Sequence, residues 1–253
     1  MSRTGVLLLV MGTLVSWPVH AQELSLEAVL NEYYEALGGL EMLKSVNSMK
    51  ITGRVLMGQG MESPFTRWSK RPDMVRLEFM VQGVTGIQAY DGEAAWMLMP
   101  FMGQTDPELM PLDMAREMEE EADFDGPLVD YAEKGHQVEL LGKEEVEGTE
   151  TYKLKVTLKN GDVSYFYLDS EYYLPIKTEG KRTFAGNEFQ ITTILGDYKE
   201  VGGLMMAHSI QVTGRGPGLQ TLIFAQIELN VEIDDAQFKM PEPTETETKK
   251  PSR

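Results

Sequence analysis

Apolar residues recur every three to four positions near the start of the chain and at every second position over most of its remaining length. Leu26, Val29, Leu30, Tyr33, Tyr34 and Leu37 share one helical face, Ser25 stands where a capping residue belongs, and Gly38-Gly39 follows the last of them. The spacing predicts an amphipathic helix, with a shorter helical turn over 40–46. From Met49 the period becomes two. Val75, Leu77, Phe79 and Val81 alternate with Arg76 and Glu78, and Tyr152, Leu154, Val156 and Leu158 alternate with Lys153, Lys155 and Lys159.

Turn signals separate these alternating runs, among them K-N-G-D at 159–162, F-A-G-N at 184–187, V-G-G at 201–203 and R-G-P-G at 215–218. Short strands joined this way make an antiparallel meander. Strands are expected at 49–57, 63–70, 74–82, 85–90, 94–99, 138–146, 151–159, 163–168, 175–184, 188–198, 204–214 and 220–233. In the last of these, Leu219, Ile223, Ala225, Ile227, Leu229, Val231 and Ile233 alternate on one face, with Leu222 and Phe224 on the other. A sheet of about 11 to 12 strands is too wide to stay flat and should curl into an open barrel.

One segment breaks the period. After Pro111, a residue suited to a first helical turn, Met114, Ala115, Met118 and Ala122 gather with Met110 on one arc opposite Asp113, Arg116 and Glu120. A helix inserted between the fifth and sixth strands must lay this stripe on something, and the concave face of the curled sheet is the natural seat. The fold class is therefore mainly β (α+β): a curved antiparallel half-barrel with an N-terminal helix and an inserted helix.

The ends of the chain read differently. Arg3, the apolar run 5–17, Pro18 and V-H-A ending at Ala21 form a secretory signal with cleavage after Ala21. The run is well short of the roughly 20 residues that span a bilayer. A soluble periplasmic or exterior protein is expected, with one domain over 22–240 and a disordered tail over 241–253, which has no apolar residue beyond proline. The chain has no Cys, which removes disulfides, thiolate catalysis and Cys-ligated zinc. Its net charge of −17 opposes binding to nucleic acid.

Candidate chemistry is thin. His136 follows Gly135 in a loop and reads as a surface residue, while His208 shares a strand face with Met206, Ile210 and Val212 as a core or cavity-lining group. Metal-site spacings, a nucleophile elbow and phosphate-binding glycine loops are missing from the sequence, and Glu117–Glu121 reads as a solvated helix face. No cofactor is expected. What stands out is Met97, Met99, Met102, Met110, Met114 and Met118 within one strand–loop–helix unit, together with Trp96 and Phe101. Flexible, polarizable side chains suit a surface that adapts to variable apolar ligands, and core filling explains them equally well on composition alone.

The order of several short motifs carries a resemblance over nearly the whole chain after the signal. These are A-L-G-G (36–39), M-K-I-T-G-R (49–54), R-P-D-M-V-R-L-E (71–78), Y-D-G-E-A-A-W (90–96) and N-V-E-I-D-D-A-Q-F-K-M-P (230–241). Together they resemble the outer-membrane lipoprotein-sorting family, related to the LolA and LolB carriers. The resemblance implies a half-barrel closed by helices whose apolar interior carries acyl chains across the periplasm, with no chemistry of its own. The cavity and lid would then be Phe79, Trp96, Met97, Met99, Phe101, Met102, Met110, Met114, Met118, Leu222 and Phe224. It also implies an arginine inside the cavity that holds the lid closed, and Arg54 stands either as that arginine or as a solvent-facing strand residue. The implied partners are a lipid or acylated lipoprotein cargo and a membrane transporter or acceptor protein. The alternatives are a sensor of lipid or lipoprotein that regulates an envelope protein, and a hydrolase built on an Asp/Glu pair.

Overall fold

The computed structural model describes residues 25–184, 187–214 and 218–242. The signal over 1–21, residues 243–253 of the tail and parts of the expected turns at 184–187 and 215–218 lie outside them. Helix α1 covers Leu26–Ala36, with the Ser25 hydroxyl accepting from the Ala28 N–H at 3.1 Å, and α2 covers Leu40–Ser45. Five strands follow: β1 (Ser48–Met57), β2 (Met61–Lys70), β3 (Met74–Val81), β4 (Val84–Tyr90) and β5 (Ala95–Leu98). A two-residue strand β6 (Glu108–Leu109) leads to helix α3 (Leu112–Ala122). The remainder is β7 (Gln137–Val146), β8 (Thr149–Thr157), β9 (Val163–Asp169), β10 (Pro175–Phe184), β11 (Asn187–Val201), β12 (Leu204–Thr213) and β13 (Gln220–Leu229).

All 13 strands form one curved, unclosed antiparallel sheet in the order β6-β5-β4-β3-β2-β1-β13-β12-β11-β10-β9-β8-β7. The chain runs from β1 outward to β6, crosses over with α3 to the opposite edge, and returns strand by strand until β13 pairs with β1. The alternation forecasts the mainly β half-barrel and its N-terminal and inserted helices. It misses β6, which at two residues has no period to display.

Cross-strand partners in an antiparallel pair point to the same side of the sheet. One row can therefore be followed across it through the pairs Val156–Ser164, Ser164–Gly180 and Gly180–Ile191, then Leu195–Ile210, Ile210–Leu222 and Leu222–Val55. It continues through Val55–Ser63, Phe65–Phe79, Val75–Tyr90 and Tyr90–Ala95. Helix α1 packs on this face at one end, against Tyr152, Leu154, Val156 and Leu168. Helix α3 packs on the same face at the other end, against Val75 and Ala95. Both helices thus lie on one side, and a stretch of apolar floor lies between them.

Strand β13 departs from the expected alternation. Gln226 pairs with Thr52 but Phe224 pairs with Gly53, so Ala225 is an extra residue in a bulge. Leu222, Phe224, Ile227 and Leu229 consequently all contribute to one cluster with Ile51 and Phe65. Gly53 permits this arrangement, because a Cβ there would lie 2.3 Å from the Ile223 carbonyl oxygen and 3.0 Å from the Phe65 ring.

After Leu229 the chain leaves the sheet at Asn230, whose positive φ of 54° turns it and whose side-chain oxygen accepts from the Asn47 N–H at 2.7 Å. It then straps the opposite face. Lys70 Nζ donates to the Ile233 carbonyl at 2.7 Å, Arg76 Nη1 to the Gln237 carbonyl at 2.9 Å, and the Phe238 side chain is fully buried.

Candidate ligand groove

The floor between the helices is apolar but not sealed. Val55, Leu77, Phe79, Leu195, Ile210, Leu222 and Phe224 are all half-buried, whereas Leu154, Val156 and Leu168 beneath α1 have no exposed surface. Two edge-to-face aromatic pairs shape the floor: Phe65 with Phe224, centroids 5.9 Å apart, and Phe79 with Phe101, also 5.9 Å apart. Half-exposed aliphatic and aromatic side chains on a concave surface are poorly satisfied by water. They gain by covering with any apolar chain of matching width.

Helix α3 borders this floor. Its seat is filled, with Met110, Met118 and Ala122 buried against Val75 and Ala95, and with Tyr90, Met97, Met114 and Ala115 packed around them. The expected apolar cavity directly beneath the helix is therefore occupied by the helix's own Met stripe, and the accessible apolar surface lies beside it. Cavities of 250 Å³ at Tyr34 and 130–133, and of 380 Å³ around Lys155, Tyr165, Gly180 and Lys181, contain none of these residues.

Charged groups from three directions hold α3 and its outgoing loop. From β2, Arg67 points to the floor side and its Nη2 donates to the Glu121 carbonyl at 2.7 Å. From β10, on the far side of the opening, Arg182 Nη2 pairs with Glu120 at 3.0 Å; from the β8–β9 turn, Asn160 Nδ2 donates to the same carboxylate at 3.0 Å, and Lys159 pairs with Glu119 at 2.9 Å. Burial pushes the Glu120 carboxyl above its ordinary range, and the Arg182 guanidinium only partly offsets that. Behind the helix, Arg71 grips Asp125 through both Nη atoms at 2.6 and 2.5 Å, donates through Nε to the Val46 carbonyl, and lies 4.6 Å over the Phe124 ring. Lys134 pairs with Asp123 at 2.6 Å.

The residues read from the sequence divide into four groups. Phe79, Phe101, Leu222 and Phe224 meet on the floor. Met97, Met110, Met114 and Met118 meet under α3, and Met99 is buried nearby in the chain. Met102 is 76% exposed and stands outside the groove.

Two residues belong to the other face. Trp96 pairs with Ala89 one position out of phase with Met97; it is fully buried beneath the strap, its Nε1 donating to the Phe238 carbonyl at 2.7 Å and Arg76 lying over its ring. Trp96 is therefore a core residue of the strapped face and not part of the groove. Arg54 alternates with the floor residues Gly53 and Val55, so it points away from the floor and pairs with Glu62 at 3.3 Å in an exposed position. It is a solvent-facing strand arginine. The arginines that reach α3 are Arg67 and Arg182. Arg67 shares strand parity with Ser63, Phe65 and Ser69, which the structure buries, but Trp68 on the opposite parity leaves the sequence without a pattern that marks this face as inward.

No protein-family model and no curated protein matches this sequence. Solved structures do. A DUF1329 family protein from Desulfovibrio piger is similar with a TM-score of 0.60 at 13% identity, covering 84% of this chain and 96% of the other. A LolA superfamily protein from Nitrosomonas europaea gives 0.56 at 15% identity, covering 84% and 96%. An outer membrane lipoprotein-sorting protein domain from Vibrio parahaemolyticus gives 0.55 at 14% identity, covering 83% and 94%. The chain has the LolA-like fold. At this identity the likeness is one of fold.

Proposed function

We propose that this protein is an exported, periplasmic carrier that holds the acyl chains of a lipid or lipoprotein on the floor between α1 and α3 and moves them between envelope membranes without chemical change. The observation that carries the reading is the row of half-exposed apolar side chains, Leu195, Ile210, Leu222, Val55 and Phe79, on the concave face between the parts of the sheet that α1 and α3 cover. Its LolA-like fold supports the same reading. Covering an acyl chain gains about 0.8 kcal/mol per CH₂, so a chain of about 16 carbons offers on the order of 10 kcal/mol before ordering costs.

Helix α3 serves as the lid. Its contacts are Met side chains, which repack readily, and partly exposed ion pairs, which cost little to break in water. Displacing it would extend the floor by Val75, Ala95 and Met97. The test is uptake of a fluorescent fatty acid by the wild type, by Leu222→Asp, and by Met114→Asp/Met118→Asp. Saturable uptake by the wild type, lost in both variants while the far-ultraviolet circular dichroism of the sheet is retained, is the expected outcome. Unchanged uptake by Leu222→Asp would reject the floor as the site, and unchanged uptake by the double variant would reject the lid.

A further inference from the structure

The hairpins of this sheet alternate between two ends, and over the half of the sheet from β1 to β6 the two ends differ in chemistry. At one end the turns carry charge: Arg71 and Asp73 after β2, Asp91 and Glu93 after β4, Glu147 after β7, and Glu171 after β9. At the other end the turns after β1 (M-G-Q-G-M, 57–61) and after β3 (M-V-Q-G-V-T, 80–85) contain no charged residue, and the connection after β5 runs through M-P-F-M-G-Q-T (99–105) before reaching Asp106, in a chain that is 25% charged with a net −17. Only the turn after β8, in the other half of the sheet, brings Lys159 and Asp162 to this end among the described residues. Large apolar side chains project from the turns after β1 and β3 and from the segment after β5. Met61 is 57% exposed, Met80 41%, Val84 39% and Met102 76%, and the adjoining strand ends add Leu219 and Phe189.

We propose that this rim docks the protein on the surface of a lipid bilayer. Three features favour a bilayer over a protein partner. First, the apolar side chains sit on separate glycine-containing hairpins, each projecting on its own; a protein interface has a contiguous, shape-matched core, whereas a deformable lipid surface accepts isolated projections. Second, the turns after β1 and β3 and the segment 99–105 after β5 are free of charges that would have to be desolvated among headgroups, although this acidic chain is rich in them elsewhere. Third, the rim is continuous with the groove. Phe189, Met61 and Val84 stand on the floor side of their strands, as shown by the parity of Phe189 with Ile191, of Met61 with Ser63, and by the pair Val84–Val81. An acyl chain drawn from the bilayer would pass from the rim to Val55 and Leu222 along apolar surface. This third feature rests on the carrier reading; the first two do not.

The inference is tested by flotation of the protein with phosphatidylcholine vesicles, with and without phosphatidylglycerol, for the wild type and for Met80→Asp/Met102→Asp. Both substituted positions are exposed, and Met80 points away from the floor. Uptake of a monomeric fatty-acid probe from vesicle-free solution is measured in parallel. The wild type should float with vesicles, and the variant's bound fraction should fall about tenfold while its uptake from solution is unchanged. Absence of flotation by the wild type, or equal flotation by the variant, would overturn the inference; intact uptake from solution would then leave the carrier reading standing. Flotation sensitive to the double substitution, with no probe uptake by either protein, would support docking and remove the carrier reading. Flotation only with vesicles that bear envelope proteins would overturn the bilayer assignment in favour of a protein partner.

Discussion

Helices α1 and α3 lie on the same face of one sheet, yet they are attached in different ways. Beneath α1, Val29, Leu30 and Tyr33 meet Leu154, Val156 and Leu168, and the sheet residues have no exposed surface. The end of α1 is also pinned through the backbone. Met205 N–H donates to the Leu37 carbonyl at 3.0 Å, and Gly38 approaches the β11–β12 turn so closely that a Cβ there would fall 2.1 Å from the Gly203 oxygen. Helix α3 instead rests on Met110 and Met118, is charged over much of its length, and is tied by Arg67 and Arg182. Dense branched and aromatic packing makes a fixed wall. Flexible thioethers and solvent-accessible ion pairs make a wall that can lift.

The comparison breaks first at its largest expected effect. Leu154→Ala should cost about 2–5 kcal/mol of unfolding free energy, because it empties a sealed site, whereas Leu222→Ala should cost about 1 kcal/mol because water already reaches that side chain. Urea titrations of the two variants measure the contrast directly. Equal costs would mean that the floor is ordinary core. Next, Arg71→Ala removes the partner of Asp125, whose side chain is only 11% exposed, and should cost about 3 kcal/mol, read in the same titrations.

Arg182→Gln leaves the Glu120 carboxylate half-buried without its cation. A cost of about 1–2 kcal/mol is expected, between the values for exposed and buried pairs, and it should appear as faster hydrogen exchange in α3 with α1 unchanged. The smallest effect is on pH dependence. Because burial raises the Glu120 carboxyl when α3 is seated, its contribution to seating is fully present below the ordinary carboxylate range and is lost as pH rises through the raised value. Spin-label distances between α3 and β10 should therefore report a tighter population at mildly acidic pH than at neutral pH. Glu120→Gln should flatten that dependence without unseating the helix; an unaltered pH profile in this variant would assign the effect elsewhere.

Much of this architecture is legible in the sequence because it depends on local periodicity. The cap at Ser25, the 3.6-residue stripe of α1 and the twofold alternation of Val75–Val81 and Tyr152–Val156 each fix which face is buried. The features that escape a sequence reading depend on one residue or on distant chain. The Ala225 bulge moves Ile227 and Leu229 onto the face of Leu222 and Phe224, and the positive φ of Asn230 ends β13 before Ile233. Trp96 and Met97 cannot both face the groove, because a strand puts successive side chains on opposite sides, and Met97 is the one that faces α3. What buries Trp96 is a strap more than 130 residues later in the chain, with 142 positions separating it from its hydrogen-bond partner Phe238. Arg182 meets Glu120 only because the sheet curls far enough to bring β10 to α3, and no local pattern announces that contact.

The central claim is that the half-exposed floor exists to hold an acyl chain. Native mass spectrometry of the protein purified from a periplasm without detergent, followed by lipid extraction, tests it most directly. A discrete added mass of several hundred daltons, identified as a diacyl lipid or acylated peptide and absent from Leu222→Asp, is the predicted result. A clean unliganded mass together with no uptake of a fatty-acid probe would contradict it.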